Sequence, residues 1–253
     1  MEVTECATDL HSGFIGGVAF NPNHALVEAL SKLRDENGKI LVPGFYDDVP
    51  ELSDAERALI DYSMSDSDFE AKLGFSPIGG ERNDYHWLDR RAVRPTIEIN
   101  GINGGYSGEG FKTVIPGKAI AKVSCRLVGD QDPEKVAKSV TSYIREQIPS
   151  ELKCEFDIHP GVGVAVKADP NSEVIKTVRN AYTQVHEVKC GVQFEGGSIP
   201  IVAELSRAIS AEVALFGYGM AEDAIHAPNE SFDFERLKKG HALVALSLLG
   251  LQK

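Results

Sequence analysis

The sequence predicts an α/β protein in two pieces, an α+β part with helices laid on an antiparallel sheet over residues 1–161 and a segment of a further α/β domain over 162–253. Three observations carry this expectation. Lys118–Leu127 and Leu152–His159 alternate polar and apolar residues, as strands with one buried face do. Between them Asp132-Pro133-Glu134 opens a helix that runs to about Gln147, with the proline preorganised for the first turn. Pro160-Gly161 then breaks the pattern, and residues 162–253 carry strand and helix signals of their own.

Taken in order, Met1–Cys6 alternates like a strand already under way. Residues 23–35 set Leu26, Ala29, Leu30 and Leu33 on one helical face, with Asn23 as the expected N-cap and Asn37-Gly38 as the stop. Residues 39–50 read as loop. Ser53 caps a second helix holding Ala55, Leu59 and Ile60; the polar run Ser63–Asp68 is expected to break it before a short helical piece at Phe69–Leu73. Residues 74–94 read as a surface excursion carrying Trp87. Arg94-Pro95 opens a strand at Thr96–Asn100, followed by a glycine-rich loop over 101–110. Past the boundary come a strand at 162–166 and a helix from Ser172 to His186, with Val174, Ile175, Val178, Tyr182 and Val185 inward. A strand at 192–195, a helix from Ser198, a strand at 212–218 and a closing helix near 232–251 complete the chain. So few strands leave this second piece in need of more sheet to pack against.

A net charge of −12 disfavours nucleic acid and anionic membranes as partners, because neither attracts an acidic surface. No window has the length and apolarity of a transmembrane helix, and the first 30 residues lack a basic start and apolar core, so no secretory signal is expected. Cys6, Cys125, Cys154 and Cys190 form no CxxC pair, which fits reduced thiols in a cytoplasmic protein.

Four places hold residues suited to chemistry. His226, in Ala224-Ile225-His226-Ala227-Pro228-Asn229-Glu230, follows a strand-like run and an acidic turn, where a neutral imidazole can ligate a divalent cation. A hydrogen-bonded core histidine is the plainer alternative, since a metal site takes about three or more ligands and no His-x-Asp, His-x-His or Glu-Glu pair occurs. His11, in Asp9-Leu10-His11-Ser12-Gly13, leaves a strand among glycines that permit close backbone approach, and can donate to an oxyanion or substrate carbonyl; an ordinary loop histidine has the same signature. In Glu195-Gly196-Gly197-Ser198-Ile199-Pro200, Gly197 and Ser198 start a helix whose free amides suit a carboxylate, unless Ser198 is simply a cap. Arg126 sits in an otherwise apolar alternating strand and calls for a carboxylate, from the protein or a ligand. Thr113, in Lys112-Thr113-Val114-Ile115-Pro116-Gly117, offers a hydroxyl.

Together these stretches resemble the dizinc metallopeptidases that include aminoacylase, carnosinase and the cytosolic nonspecific dipeptidases. The matches are Asp9–Gly17 with Asn21-Pro22, Arg94-Pro95-Thr96, Gly110–Pro116, Arg126-Leu127-Val128, Glu195–Pro200 and His226–Glu230, in the family's order. The resemblance implies a lid or dimerisation domain over 1–161 and the C-terminal segment of the catalytic domain over 162–253. It implies hydrolysis of dipeptides or short peptides by water activated at two divalent metal ions, zinc or manganese, in a cytoplasmic homodimer joined through the lid. His226 would be a metal ligand. His11, with Thr113, would steady the tetrahedral intermediate in the partner's site; Arg126, Ser198 and Gly197 would hold the substrate carboxylate. The family's remaining ligands and its general base have no counterpart in this sequence, so the chain is expected to be inactive alone. A dimerisation or ligand-binding module without catalysis, and an acylamino-acid deacylase, stand as the alternatives; the long stretch from Gly38 to Arg94 resembles the dipeptidase branch.

Overall fold

The computed structural model describes residues 1–159, 163–195, 200–220, 223–225 and 227–252. In chain order these form β1 (Glu2–Thr4), β2 (Leu10–His11), α1 (Ser12–Ile15), α2 (Pro22–Ser31), α3 (Asp54–Arg57), α4 (Asp66–Leu73) and α5 (Trp87–Ala92). Next come β3 (Thr96–Gly104), β4 (Val114–Ile115), β5 (Lys118–Arg126), α6 (Pro133–Gln147), β6 (Lys153–Glu155), α7 (Glu173–His186), α8 (Pro200–Ile209) and α9 (Phe234–Gly250). The fold is thus a mixed α/β one, helices with an antiparallel sheet. Its contacts divide into two units, one drawn from Met1–Pro50 and Ile78–Ala165, the other from Glu51–Pro77, Val166–Glu195 and Ile201–Lys253.

In the first unit the sheet runs β3-β5-β1-β6, antiparallel throughout, with Val3 opposite Ala119 on one side and Cys154 on the other. A two-stranded ribbon of β2 and β4 extends beyond it. Because side chains alternate along a strand, β5 turns Ala119 and Ala121 inward and Lys122, Ser124 and Arg126 to solvent. Helices α2 and α6 supply the other half of the core: Leu26, Ala29, Leu30 and Leu33 meet Val136, Val140 and Ile144 over Val3, Ile97 and Ala119. Full burial of a side chain such as Leu26 or Ile144 stabilises the fold by about 1.5–3 kcal/mol.

Several boundaries differ from expectation for identifiable reasons. The cap of α2 is Asn21, whose side chain accepts from the Asn23 amide at 2.9 Å; Pro22 then takes the first helical position, and Asn23 instead donates to the Gly104 carbonyl at 3.3 Å. A Cβ on Gly104 would lie 2.0 Å from that Asn23 side chain, so this helix-to-strand approach needs glycine. The polar run Ser63–Asp68 starts a helix, because Ser65 and Asp68 form a reciprocal capping box at the head of α4. The excursion over 74–94 contains α5, and its end is pinned by Arg94. That guanidinium is buried, bonds Glu81 at 2.6 Å and lies over the rings of Tyr46 and Tyr85 at 4.9 and 4.3 Å. The glycine-rich loop begins late, since β3 runs through Gly101 to Gly104 with a bulge between Ile99 and Gly101. Strand β6 ends at Glu155, short of the expected His159.

In the second unit α7 begins at its expected cap, Ser172, and lies along α9. A Cβ on Gly250 would come 2.6 Å from Thr177, so the two helices close tightly at that point. The expected strands over 163–166, 192–195 and 212–218 do not form; the described residues there make a single parallel bridge, Ile60 to Val192. Strands of this kind need neighbours to satisfy their backbones, and within the unit none is present among the described residues. Leu215 and Phe216, in the strongest of those runs, stay 58% and 40% exposed.

Candidate functional site

His11 is positioned by the ribbon. In register it faces Val114, and the Ser12 amide and hydroxyl both donate to the Thr113 carbonyl at 3.0 Å. Asp9 accepts from the Gly117 amide at 3.0 Å and ties the same ribbon to the turn entering β5. Two motifs about a hundred residues apart are thereby brought side by side, His11 with Thr113. The imidazole Nδ1 accepts from the Gly13 amide at 3.0 Å, which leaves Nε2 as the hydrogen-bearing nitrogen of the neutral ring. A side chain with that tautomer donates, as stabilising an oxyanion requires. Gly16 is needed at the back of the turn, where a Cβ would meet the Ser12 carbonyl oxygen at 2.4 Å.

Arg126 is at the opposite end of β5. Eight residue steps from Lys118 to Arg126, at ~3.3 Å each, separate the two ends by about 26 Å. The His11–Thr113 ribbon lies beyond the Lys118 end, so one copy of the chain does not bring Arg126 together with His11. Arg126 faces Thr96 in the register and is exposed, not embedded in apolar surroundings. Alternation explains this: Lys122, Ser124 and Arg126 are exposed and Val123 and Cys125 half-buried, and Arg126 lies at a hollow of about 350 Å³ whose apolar lining includes Val123, Val136, Val140, Ile144 and Phe156. Burial pushes the Cys125 thiol up to about 12, which takes it out of consideration as a nucleophile.

Gly197, Ser198 and His226 lie outside the described residues. The residues that flank His226 are held from one point. Asp223 accepts both guanidinium nitrogens of Arg236, at 2.6 and 2.5 Å, and the Met220 amide at 2.7 Å; its own carbonyl accepts from Ser231 at 3.0 Å. The Arg236 guanidinium and then the Met220 amide lower the Asp223 carboxyl to about 2. Sequence reasoning passed over this clasp, and the spacing of Asp223 from Arg236 across a loop gives no periodic signal by which to find it.

Among the described residues no group of three or more His, Cys, Asp or Glu comes together to hold a metal ion. The donors among the described residues therefore do not by themselves make a metal centre. No helix among the described residues is long and apolar enough to cross a membrane.

Comparison with known proteins places this geometry. Residues 1–152 match the family model described as a peptidase dimerisation domain. The Cys-Gly metallodipeptidase of Candida albicans is 34% identical over 238 residues, which cover 92% of this chain and 48% of that protein. A solved dipeptidase structure from Saccharomyces cerevisiae superposes with a TM-score of 0.81 at 31% identity, over 98% of this chain and 52% of the other. An M20 family metallo-carboxypeptidase from Sulfolobus solfataricus gives 0.80 at 28% identity, over 99% and 57%. The chain spans about half the length of the relatives it matches.

Proposed function

This chain belongs to the M20 metallopeptidase family, and on that footing we propose that it provides the dimerisation domain and C-terminal catalytic segment of a dipeptidase acting on short, unblocked peptides. The observation that carries this is the placement of His11 with Thr113 beyond the Lys118 end of β5 and of Arg126 at its other end, the two ends of that strand being about 26 Å apart. A dipeptide is far shorter than that span. A site using both ends therefore draws them from two copies, with Arg126, Gly197 and Ser198 holding the peptide's C-terminal carboxylate and His11 and Thr113 reaching in from the partner. As the scissile carbonyl becomes tetrahedral, its oxygen gains charge, and the Nε2–H of His11 donates to it. His226 is this chain's one ligand to the family's divalent metal, zinc or manganese; the other ligands and the general base come from outside this sequence.

The homodimer is assigned to the free edge of β3 and the adjoining face of α2. Val27, Ile99 and Ile102 are 53%, 43% and 53% exposed there, around a hollow of about 340 Å³. The exposed Leu215 and Phe216 support a second unit that packs against further sheet. Four free cysteines accord with a reducing, cytoplasmic setting.

The test is complementation. The purified chain is mixed with the N-terminal half of a related metallodipeptidase, and hydrolysis of a free dipeptide is followed. Activity should appear only in the mixture and be abolished by His226→Ala or Arg126→Ala; full activity in both variants overturns the assignment. Hydrolysis of an acylated amino acid in preference to the dipeptide would move the chain to the deacylase branch. A dimer that gives no turnover in any mixture would leave a binding or dimerisation module.

A further inference from the structure

An exposed histidine is a poor fixed donor, because its ring rotates and its proton exchanges between two nitrogens. In this chain two neighbours in the same turn restrain both motions. The Gly13 amide donates to Nδ1 at 3.0 Å, which excludes the proton from that nitrogen and leaves it on Nε2. The Phe14 ring lies with its centroid 4.8 Å from that of the imidazole, tilted by 47°. Glycine is required at 13: a Cβ there would lie 2.8 Å from Cε1 and 3.0 Å from Nδ1, and would drive the ring from its acceptor position.

Phe14 itself is 83% exposed, and α1, which carries it, buries no residue. A large aromatic ring at such a place contributes little to the core, so its packing on the imidazole calls for another account. We infer that Gly13 and Phe14 are positioning residues for His11: the amide sets the Nε2–H tautomer, and the ring walls off the alternative orientations. The imidazole is then preorganised to donate rather than to accept, without ordering cost at the moment it is used. The catalytic consequence rests on the role of His11 proposed above; the restraint on the ring does not.

The experiment is long-range proton–nitrogen NMR of the imidazoles in the full chain, held neutral, with His11→Gln to assign the signal. His159 and His241, both exposed, serve as references in the same spectrum. The expected result is a single Nε2–H tautomer at His11 against mixtures at the references. Phe14→Ala should move His11 toward those mixtures and average its side-chain coupling, Phe14→Leu should recover part of the restraint, and Gly13→Ala should lose it. A wild-type His11 that matches the references, or an unchanged His11 in Phe14→Ala, overturns the inference. In the complemented dipeptide assay Phe14→Ala should lower kcat about tenfold with KM unchanged, the mark of an interaction made in the transition state. A raised KM with kcat retained would make Phe14 a substrate contact and also overturn it. If the wild-type mixture shows no turnover, the proposed function fails, and the imidazole spectrum still decides the positioning.

Discussion

Replacing Ile102 by Asp should split the proposed homodimer while leaving the fold intact. Ile102 lies on the edge strand β3 opposite Ala121, with 53% of its surface exposed, so the substitution removes little core. Full burial of an isoleucine stabilises by about 1.5–3 kcal/mol, and covering the exposed half in an interface contributes about 1 kcal/mol. In a two-fold interface the same residue is lost from both copies, which makes about 2 kcal/mol, or roughly a 30-fold weaker Kd. Burying the two new carboxylates near each other adds to that loss. The assay is sedimentation velocity over a concentration series, with circular dichroism as the control for folding. Val27→Asp on α2 should act in the same direction, and Lys122→Ala, on the solvent face of β5, should not. A wild-type chain that stays monomeric at high concentration, or an Ile102→Asp variant with an unchanged dissociation curve, would refute the assignment of this edge.

Three further outcomes rest on single contacts. Arg94→Met leaves the Glu81 carboxylate buried and unpaired, and should cost about 3–5 kcal/mol in urea unfolding, with the Glu81→Leu/Arg94→Met double variant recovering much of it; a loss under about 1 kcal/mol would mean that water reaches the pair. Glu56 is held near a pKa of about 2, against an ordinary 4.5, first by its bond to Lys167. A depressed carboxyl stabilises above its unfolded pKa and loses that contribution as pH falls through the folded one. Lys167→Met should therefore reduce stability by at most about 1 kcal/mol at pH 7 and make the difference from wild type vanish toward pH 2, as thermal melts over that range would show. Cys125, with its thiol pushed up to about 12, should resist alkylation at pH 8 in the folded chain and react once unfolded; rapid labelling by mass spectrometry would contradict its burial.

What the sequence disclosed depended on whether the signal was local. Helix α6 starts at Pro133 and ends at Gln147, where the Asp-Pro-Glu opening and the apolar spacing put it. Strand β5 likewise follows its alternation to Arg126. That same alternation puts Arg126 on the solvent face, although its neighbours Cys125 and Leu127 are apolar. Other features depend on partners distant in the chain. Asn21 rather than Asn23 caps α2 because Asn23 is recruited by Gly104, 81 residues on. His11 and Thr113 were legible only as separate motifs, since the ribbon that joins them pairs positions about a hundred residues apart. The strands expected after Pro160-Gly161 had the right composition, but among the described residues they find only the Ile60–Val192 bridge, which no single stretch of sequence reveals. Ser198 and His226 remain assignments from sequence and family.

The central claim, that this chain brings substrate recognition and a single metal ligand to a site completed elsewhere, is tested most directly by metal stoichiometry. The chain alone and the complemented mixture are each incubated with zinc or manganese, desalted and analysed for bound metal. The account predicts a value near zero for the chain alone and near two per complex for the mixture, falling in His226→Ala. A value near two for the chain alone would contradict it, since the ligands declared missing would then be present in this sequence.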